Sequence, residues 1–368
     1  MAAGEIATVV NVRSPFTPHS VLLDITEEVE SLKYGLTLNG ADTGSFRVRR
    51  DSDLWQEWGD LLNAGILVSF ERTDGRWPWV GWAARRRSTL GGGTVAFELK
   101  DHAGALYSRA RTDWTQQPRL ASVKVHLAEA FHATDRRANP PLMSTLVVAS
   151  GGPLVDYATA GEYFLDVLEE LADVAGFEWG LVYELSPTDA GVTLWISEKL
   201  GRDRRTEVVL EEGVHFEDGE YVQDALGFAG EAVAIGGTGE VRGRSASAKK
   251  PAGGQRAAFS SSPAASGSRV EVNPRIGNLA AVEGIAARLL TASDSTAESV
   301  GFELVESALK EEVRPGDYVT VRFRDVGLGA GLVRVVRVLG VQLEPSSGVV
   351  DCQVEVVVEY EQQQRPTG

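Results

Sequence analysis

The sequence predicts a mainly β protein with α+β insertions. Three observations carry that expectation. Short runs rich in Val, Ile, Leu and Phe recur between Gly, Asn, Asp and Pro punctuators along most of the chain. Helical spacing of apolar residues is confined to a few stretches, two of them in the middle of the chain. At 368 residues the chain exceeds one compact core, so roughly two to four domains are expected.

In the first region, 1–105, the runs Val21–Ile25, Ser45–Arg49, Ile66–Phe70 and Val95–Leu99 are strand-like. Asn39-Gly40, Asp74-Gly75 and Gly91-Gly92-Gly93 separate them as turns, which predicts a small antiparallel barrel or sandwich. The region 106–205 changes character and predicts a small α+β domain. Ala121–Phe131 is a short helix, and a second follows the break at Asn139-Pro140-Pro141. There Thr159 and Glu162 have capping-box spacing, Phe164, Val167, Leu168, Leu171 and Ala175 form the apolar stripe, and Gly176 is the stop. Strand-like Phe177–Leu185 and Val192–Ser197 flank a turn at Ser186-Pro187. From 206 to 368 strands return at Glu207–Leu210, Glu231–Ile235, Asp317–Phe323, Leu332–Val341 and Val349–Tyr360, with one helix at about 279–290. Between them Gly236–Ser268, rich in Gly, Ala and Ser, predicts a long mobile loop.

Composition narrows the function classes. With 36 Lys and Arg against 52 Asp and Glu the net charge is −16, which disfavours a general grip on nucleic acid. A single cysteine, Cys352, excludes an intrachain disulfide framework, and its place in an alternating strand makes it a small buried hydrophobe. No run approaches 18 apolar residues and the N-terminus has no basic stretch, so neither membrane insertion nor a signal peptide is expected. Of the five histidines only His126 and His132 cluster, with Glu129, at a spacing that suits no helical metal pair. No P-loop, dinucleotide fingerprint, nucleophile elbow or HExxH is present. The expectation is no catalytic residue, no cofactor and no metal.

Interface candidates remain. Trp77, Trp79 and Trp82 form a stretch apolar on both faces, which needs a second covering layer, possibly another subunit; Pro78 pushes it towards an edge or bulge. Residues 138–198 hold ten acids and no Lys or Arg, and Asp166, Glu169, Glu170 and Asp173 make a one-sign stripe on the main helix. Cations cluster elsewhere, at Arg47, Arg49 and Arg50, at Arg85, Arg86 and Arg87, at Arg202, Arg204 and Arg205, and in the expected loop. The arginine clusters favour ion pairs between subunits, while the acidic stripe either only solubilises its helix or faces basic residues of a partner. Two other readings compete. A carbohydrate-binding module would expose Trp55, Trp58 or Trp114 in a groove, and a hydrolase would need two close carboxylates in a cleft.

The order of several segments resembles the tail hub, or baseplate hub, proteins of tailed bacteriophages, of the long-tailed siphophage type. Leu36–Arg50, LTLNGADTGSFRVRR, Leu62–Glu71, LNAGILVSFE, and Asp74–Arg87, DGRWPWVGWAARRR, are similar to elements of the family's opening barrel. Phe97–Arg109, FELKDHAGALYSR, matches its exit through Asp101, Leu106 and Arg109. Tyr163–Trp179 resembles the helix of its peripheral α+β domain, and Glu311–Phe323, EEVRPGDYVTVRF, the entry to its second barrel. The resemblance implies two tube-like antiparallel barrels per chain and a homotrimer forming a pseudo-hexameric ring at the tail tip of the virion. Tail tube or distal tail protein would lie above and tail-tip or fibre proteins below, with tape-measure protein and unbound DNA passing through. The basic segment Gly236–Ser268 departs from the family pattern.

Overall fold

A computed structural model describes residues 8–14, 20–50, 62, 65–88, 92–111, 115–136, 144–186, 189–217, 219–224, 231–236, 244–249, 268–273, 282–286, 297–305, 312–324, 332–345 and 349–356. The architecture is mainly β. Its first strands are β1 (Thr8–Arg13), β2 (Val21–Asp24), β3 (Val29–Thr37), β4 (Thr43–Arg49), β5 (Leu67–Arg72), β6 (Trp79–Ser88) and β7 (Thr94–Lys100). They pair antiparallel in the order β3-β4-β7-β6-β5-β1-β2. The alternation of β7 puts Val95, Phe97 and Leu99 inside. There Phe97 stacks on Phe46 at 4.6 Å and Phe70 on Trp79 at 5.1 Å.

The middle of the chain contributes β8 (Thr115–Ser122), α1 (Val123–Asp135), β9 (Thr145–Val148), β10 (Leu154–Ala160), α2 (Phe164–Ala175), β11 (Glu178–Ser186) and β12 (Asp189–Ser197). β8 pairs with β10, while β9 lies parallel to β12 in the sheet β11-β12-β9. Phe164, Val167, Leu168 and Leu171 of the α2 stripe are buried as its spacing predicts, Ala175 is half-buried, and Gly176 ends the helix at φ +66°. The capping box does not form as expected. Thr159 lies in β10 and its hydroxyl donates to Glu162, but α2 starts only at Phe164, with Tyr163 as its N-cap. The helix read from Ala121 begins at Val123, because Ala121 and Ser122 are used by β8.

The last strands are β13 (Val209–Glu211), β14 (Gly219–Asp224), β15 (Glu231–Gly236), β16 (Arg244–Lys249), β17 (Ser268–Asn273), β18 (Ala297–Val305), β19 (Tyr318–Phe323), β20 (Leu332–Glu344) and β21 (Val349–Val356). The expected loop Gly236–Ser268 needs correction: Arg244–Lys249 is a strand, paired antiparallel to β15 in the sheet β16-β15-β17. Its Ser-Ala repeat offers little apolar area, but backbone pairing does not need it. Residues 237–243 and 250–267 lie outside the described residues, as do Trp55, Trp58 and Trp114. Of the helix expected at 279–290, residues 282–286 are described and helical.

The expected separate barrels share one 13-stranded sheet, ordered β14-β18-β21-β20-β3-β4-β7-β6-β5-β1-β2 with β13 and β19 branching from β20. β20 joins the halves. Residues Leu332–Arg337 pair with β19, a bulge falls between Val338 and Gly340, and Gly340–Leu343 pair with Thr37–Tyr34 of β3.

The tryptophan stretch is buried inside the chain itself. Trp77 and Trp79 are fully buried and Trp82 is 8% exposed. β6 packs against β11 and the short helical turn Ala103–Tyr107, so its second layer comes from this chain and not from a neighbouring copy. Trp77 is not in the strand. It precedes β6 at φ +48°, donating its indole N–H to the Val313 carbonyl at 2.8 Å and its backbone N–H to Glu312 at 2.9 Å. Arg72 and Arg76 lie 5.2 and 5.1 Å from its ring centroid, held there by Asp74. Partial burial works against ionisation of Asp74, but the hydrogen bonds from Arg72 and Arg76 outweigh it and hold the carboxyl at about 2.

Trp77→Phe keeps an aromatic ring but orphans the Val313 carbonyl, and is expected to cost about 1–2 kcal/mol in urea unfolding. Trp77→Ala is expected to cost about 3–5 kcal/mol. Equal, near-zero losses would show that this anchor does not hold the halves together.

Candidate functional site: a cleft at the junction of three chain segments

The sequence-predicted interface residues do not converge. Arg85 and Arg87, exposed on β6, both reach Glu98 on the neighbouring strand, at 3.8 and 2.8 Å, and half-buried Arg86 lies between them. On α2, Asp166, Glu169 and Asp173 are exposed, whereas Glu170 accepts the Tyr157 hydroxyl at 2.9 Å. Partial burial, then the adjacent Asp166 charge, raises the Glu169 pKa. The histidine cluster disperses. His126 is buried with Nε2 3.2 Å from the Val155 carbonyl, Glu129 takes both contacts of Arg119 at 2.9 Å, and His132 is exposed.

A cleft of about 650 Å³ opens where residues 36–42, 180–183 with 195–202, and 312–317 meet, with Pro78 also lining it. Sequence reading missed it, because its walls come from three distant segments. The Asn39-Gly40 turn was visible, but its use was not. Asn39, at φ +55°, donates its backbone N–H to the Trp179 carbonyl at 2.9 Å, and its side chain accepts the Trp179 N–H at 2.7 Å.

Buried charges fasten the other walls. Asp317 accepts the backbone N–H of Arg202 at 2.9 Å and of Arg314 at 3.1 Å, and lies 3.6 Å from the buried Arg204 guanidinium. Arg204 also donates to the Glu312 carbonyl. Glu178 pairs with Arg337 on β20 and takes the Leu200 N–H at 2.6 Å. At the floor Gly201 (φ +82°) and Gly316 (φ +93°) cross so closely that a Cβ on Gly201 would lie 2.0 Å from the Gly316 carbonyl carbon.

Behind the cleft lies a buried carboxyl pair. Asp101 accepts the Asp42 N–H at 2.8 Å and the Gly104 N–H at 2.7 Å, while its own N–H donates to the Asp42 carbonyl at 3.1 Å. The Tyr183 hydroxyl donates to Asp42 at 3.3 Å. Burial pushes Asp101 up to about 7, against the opposing pull of these N–H donors. Burial and then the Asp101 charge raise Asp42 well above the usual carboxylate range. Burial lowers His102 to about 4. Both oxygens of Asp101 are occupied by backbone donors, so this carboxyl fastens the turn after β7 to the loop before β4.

No protein-family model matches the chain, and no curated protein does. Solved structures match it over nearly its whole length. The tail protein from Neisseria meningitidis MC58 superposes with a TM-score of 0.63 at 15% identity, covering 96% of this chain and 97% of that one. The 43 kDa tail protein of prophage MuSo2 from Shewanella oneidensis gives 0.62 at 10% identity, covering 96% and 98%. Prophage tail protein gp18 from Listeria monocytogenes EGD-e gives 0.58 at 13% identity, covering 95% and 94%. The fold is the one these tail proteins have.

Two outcomes follow from the junction. The folded pKa values of Asp42 and Asp101 are both raised, so each contributes fully below about pH 4, where the unfolded carboxyls are also protonated; the Asp101 contribution is lost as pH rises through about 7, and that of Asp42 as pH rises through its own raised value. Asp42→Asn removes one buried ionisation and keeps an acceptor for Tyr183. Melting curves from pH 4 to 8 are expected to show the variant gaining stability on the parent protein as pH rises; parallel profiles would remove the pair as the source. Gly201→Ala is expected to cost more than about 2 kcal/mol by the same measurement, because Gly316 cannot retreat without opening the cleft floor.

Proposed function

We propose, from the tail-protein fold as premise, that this chain is a structural subunit of a phage tail, placed in the hub at the tail tip. Three copies assemble into a ring around a passage for DNA and tape-measure protein. The tail tube or a distal tail protein sits above, and tail-tip or fibre proteins below. The observation that carries this reading is the 13-stranded sheet, in which β20 joins two β halves of one chain. Three such chains would present six halves, matching sixfold tube symmetry with a threefold ring. Likeness to tail proteins over almost the full chain supports the same assignment.

The open ends of the sheet fit ring closure. β2 is an edge strand with Val21 and Leu22 exposed, an arrangement that a monomer would leave vulnerable to pairing. Charge fits as well. A net −16 per chain becomes −48 for three copies, which repels phosphates and keeps a passage from gripping its cargo. In this assembly the exposed acids of α2, Asp166, Glu169 and Asp173, meet cationic surfaces of neighbours. The role is structural and non-enzymatic.

Light scattering over a hundred-fold concentration range is expected to give three times the chain mass. Leu22→Lys, which places a charge at the open edge, is expected to weaken the trimer at least tenfold while leaving the monomer's melting temperature unchanged. A monomer at every concentration, together with no cross-linked trimer in assembled tails, would overturn the ring.

A further inference from the structure

We propose that the cleft is a binding site for an acidic saccharide, stacked on Trp195. The inference stands apart from the ring, since it concerns a different surface and a different readout. Of the five tryptophans among the described residues, Trp77, Trp79, Trp82 and Trp179 are at most 8% exposed, whereas Trp195 is 40% exposed. Nothing in its local sequence requires that exposure: its neighbours Leu194 and Ile196 point to the other face of β12 and are fully buried. Trp195 is therefore a flat apolar plate carried on a rigid strand and turned into the cleft.

The β11–β12 register explains why the plate stays bare. On the β11 side Gly180 stands directly opposite Trp195 and lays no side chain on the ring, while on the β9 side Val147 is in register with it. A Cβ at Gly180 would meet only the Leu200 side chain, at 3.6 Å, so packing does not demand a glycine there. Val182, on the same face and 38% exposed, extends the apolar floor.

The rim supplies charge. Arg314 is committed to Glu312 at 2.7 Å. Lys199 and Arg202 also line the cleft and are exposed, and neither makes an ion pair among the described residues. Lys199 is steadied over the Tyr318 ring at 6.0 Å, and the Arg202 backbone is fixed at both its N–H, to Asp317, and its carbonyl, to the Tyr318 N–H. In a chain of net charge −16, the uncommitted charges of this rim are positive.

A pyranose ring matches this surface. One face carries C–H groups and lies flat on an indole, its hydroxyl edge suits donors and acceptors of both signs, and a carboxylate or phosphate substituent reaches the two cations. The cleft volume of about 650 Å³ lies within the range of small-ligand sites, roughly 300–1,000 Å³. A protein partner fits less well, because the exposed apolar floor is confined to Trp195 and Val182 and does not extend into a docking face.

The full chain is titrated calorimetrically with three acidic sugars (a short oligogalacturonate, sialyllactose and glucose 6-phosphate), with uncharged cellotriose, and with inorganic phosphate. At least one acidic sugar is expected to bind once per chain, at least tenfold more tightly than cellotriose or phosphate. Trp195→Ala is expected to lose tenfold or more for that sugar while melting within a few degrees of the parent. The double variant Lys199→Ala, Arg202→Ala is expected to lose the preference for acidic over uncharged sugar. No binding of any acidic sugar, equal affinity in Trp195→Ala, or phosphate binding as tightly as sugar would overturn the proposal. So would loss of acrylamide quenching at Trp195 on trimer formation, which would mark the face as a contact between copies.

Discussion

Everything in this molecule hangs on β20. One 13-residue strand pairs with β19 over Leu332–Arg337, with β21 from Val336 to Glu344, and with β3 over Gly340–Leu343. A bulge between Val338 and Gly340 marks the change of partner, and a bulge is the device that lets a strand bend out of one sheet curvature into another. Had the two halves ended in separate edges, each would have exposed a row of unpaired backbone groups along its longest strand. Sharing β20 removes both edges at once. It also fixes where segment 312–317 must run, and so places Val313 to accept the indole N–H of Trp77.

The middle of the chain is then fastened to this frame by polar groups more than by apolar area. Asn39 holds Trp179, Glu178 holds Arg337, and Arg204 and Asp317 are paired in near-complete burial. Each such group would be costly if left alone in the interior. Together they demand one geometry, since none can be satisfied with the segments displaced by a residue. The cleft is the space these fastenings leave open.

The strands that were legible in the sequence are those whose alternation reports burial, such as β7 and β19, with Val95, Phe97 and Leu99 or Val319, Val321 and Phe323 facing inward. α2 was legible for the same reason. β8 was not: Thr-Gln-Gln-Pro gives no periodic signal, and the strand exists because β10 offers it a backbone partner. β16 escaped notice likewise, as a Ser-Ala run indistinguishable by composition from a linker. Trp77, Trp79 and Trp82 were recognised as needing cover on two sides, but period-two counting wrongly placed Trp77 in the strand, since it cannot register a positive φ before Pro78. The cleft was out of reach for a different reason. Trp195 stands between Gly180 of β11 and Val147 of β9, and cross-strand register is not written in any one strand alone.

The β20–β3 seam also dictates an order of events. Its partners are about 300 residues apart in the chain, which makes this pairing among the slowest contacts to form. During synthesis the first seven strands emerge with β3 still lacking its outer neighbour, and that edge stays open until almost the whole chain has left the ribosome. A nascent chain of this kind carries a sticky flank for most of its production. Lys33, one residue before the paired stretch Tyr34–Thr37, puts a charge at the end of that flank, the kind of residue that discourages edge-to-edge pairing.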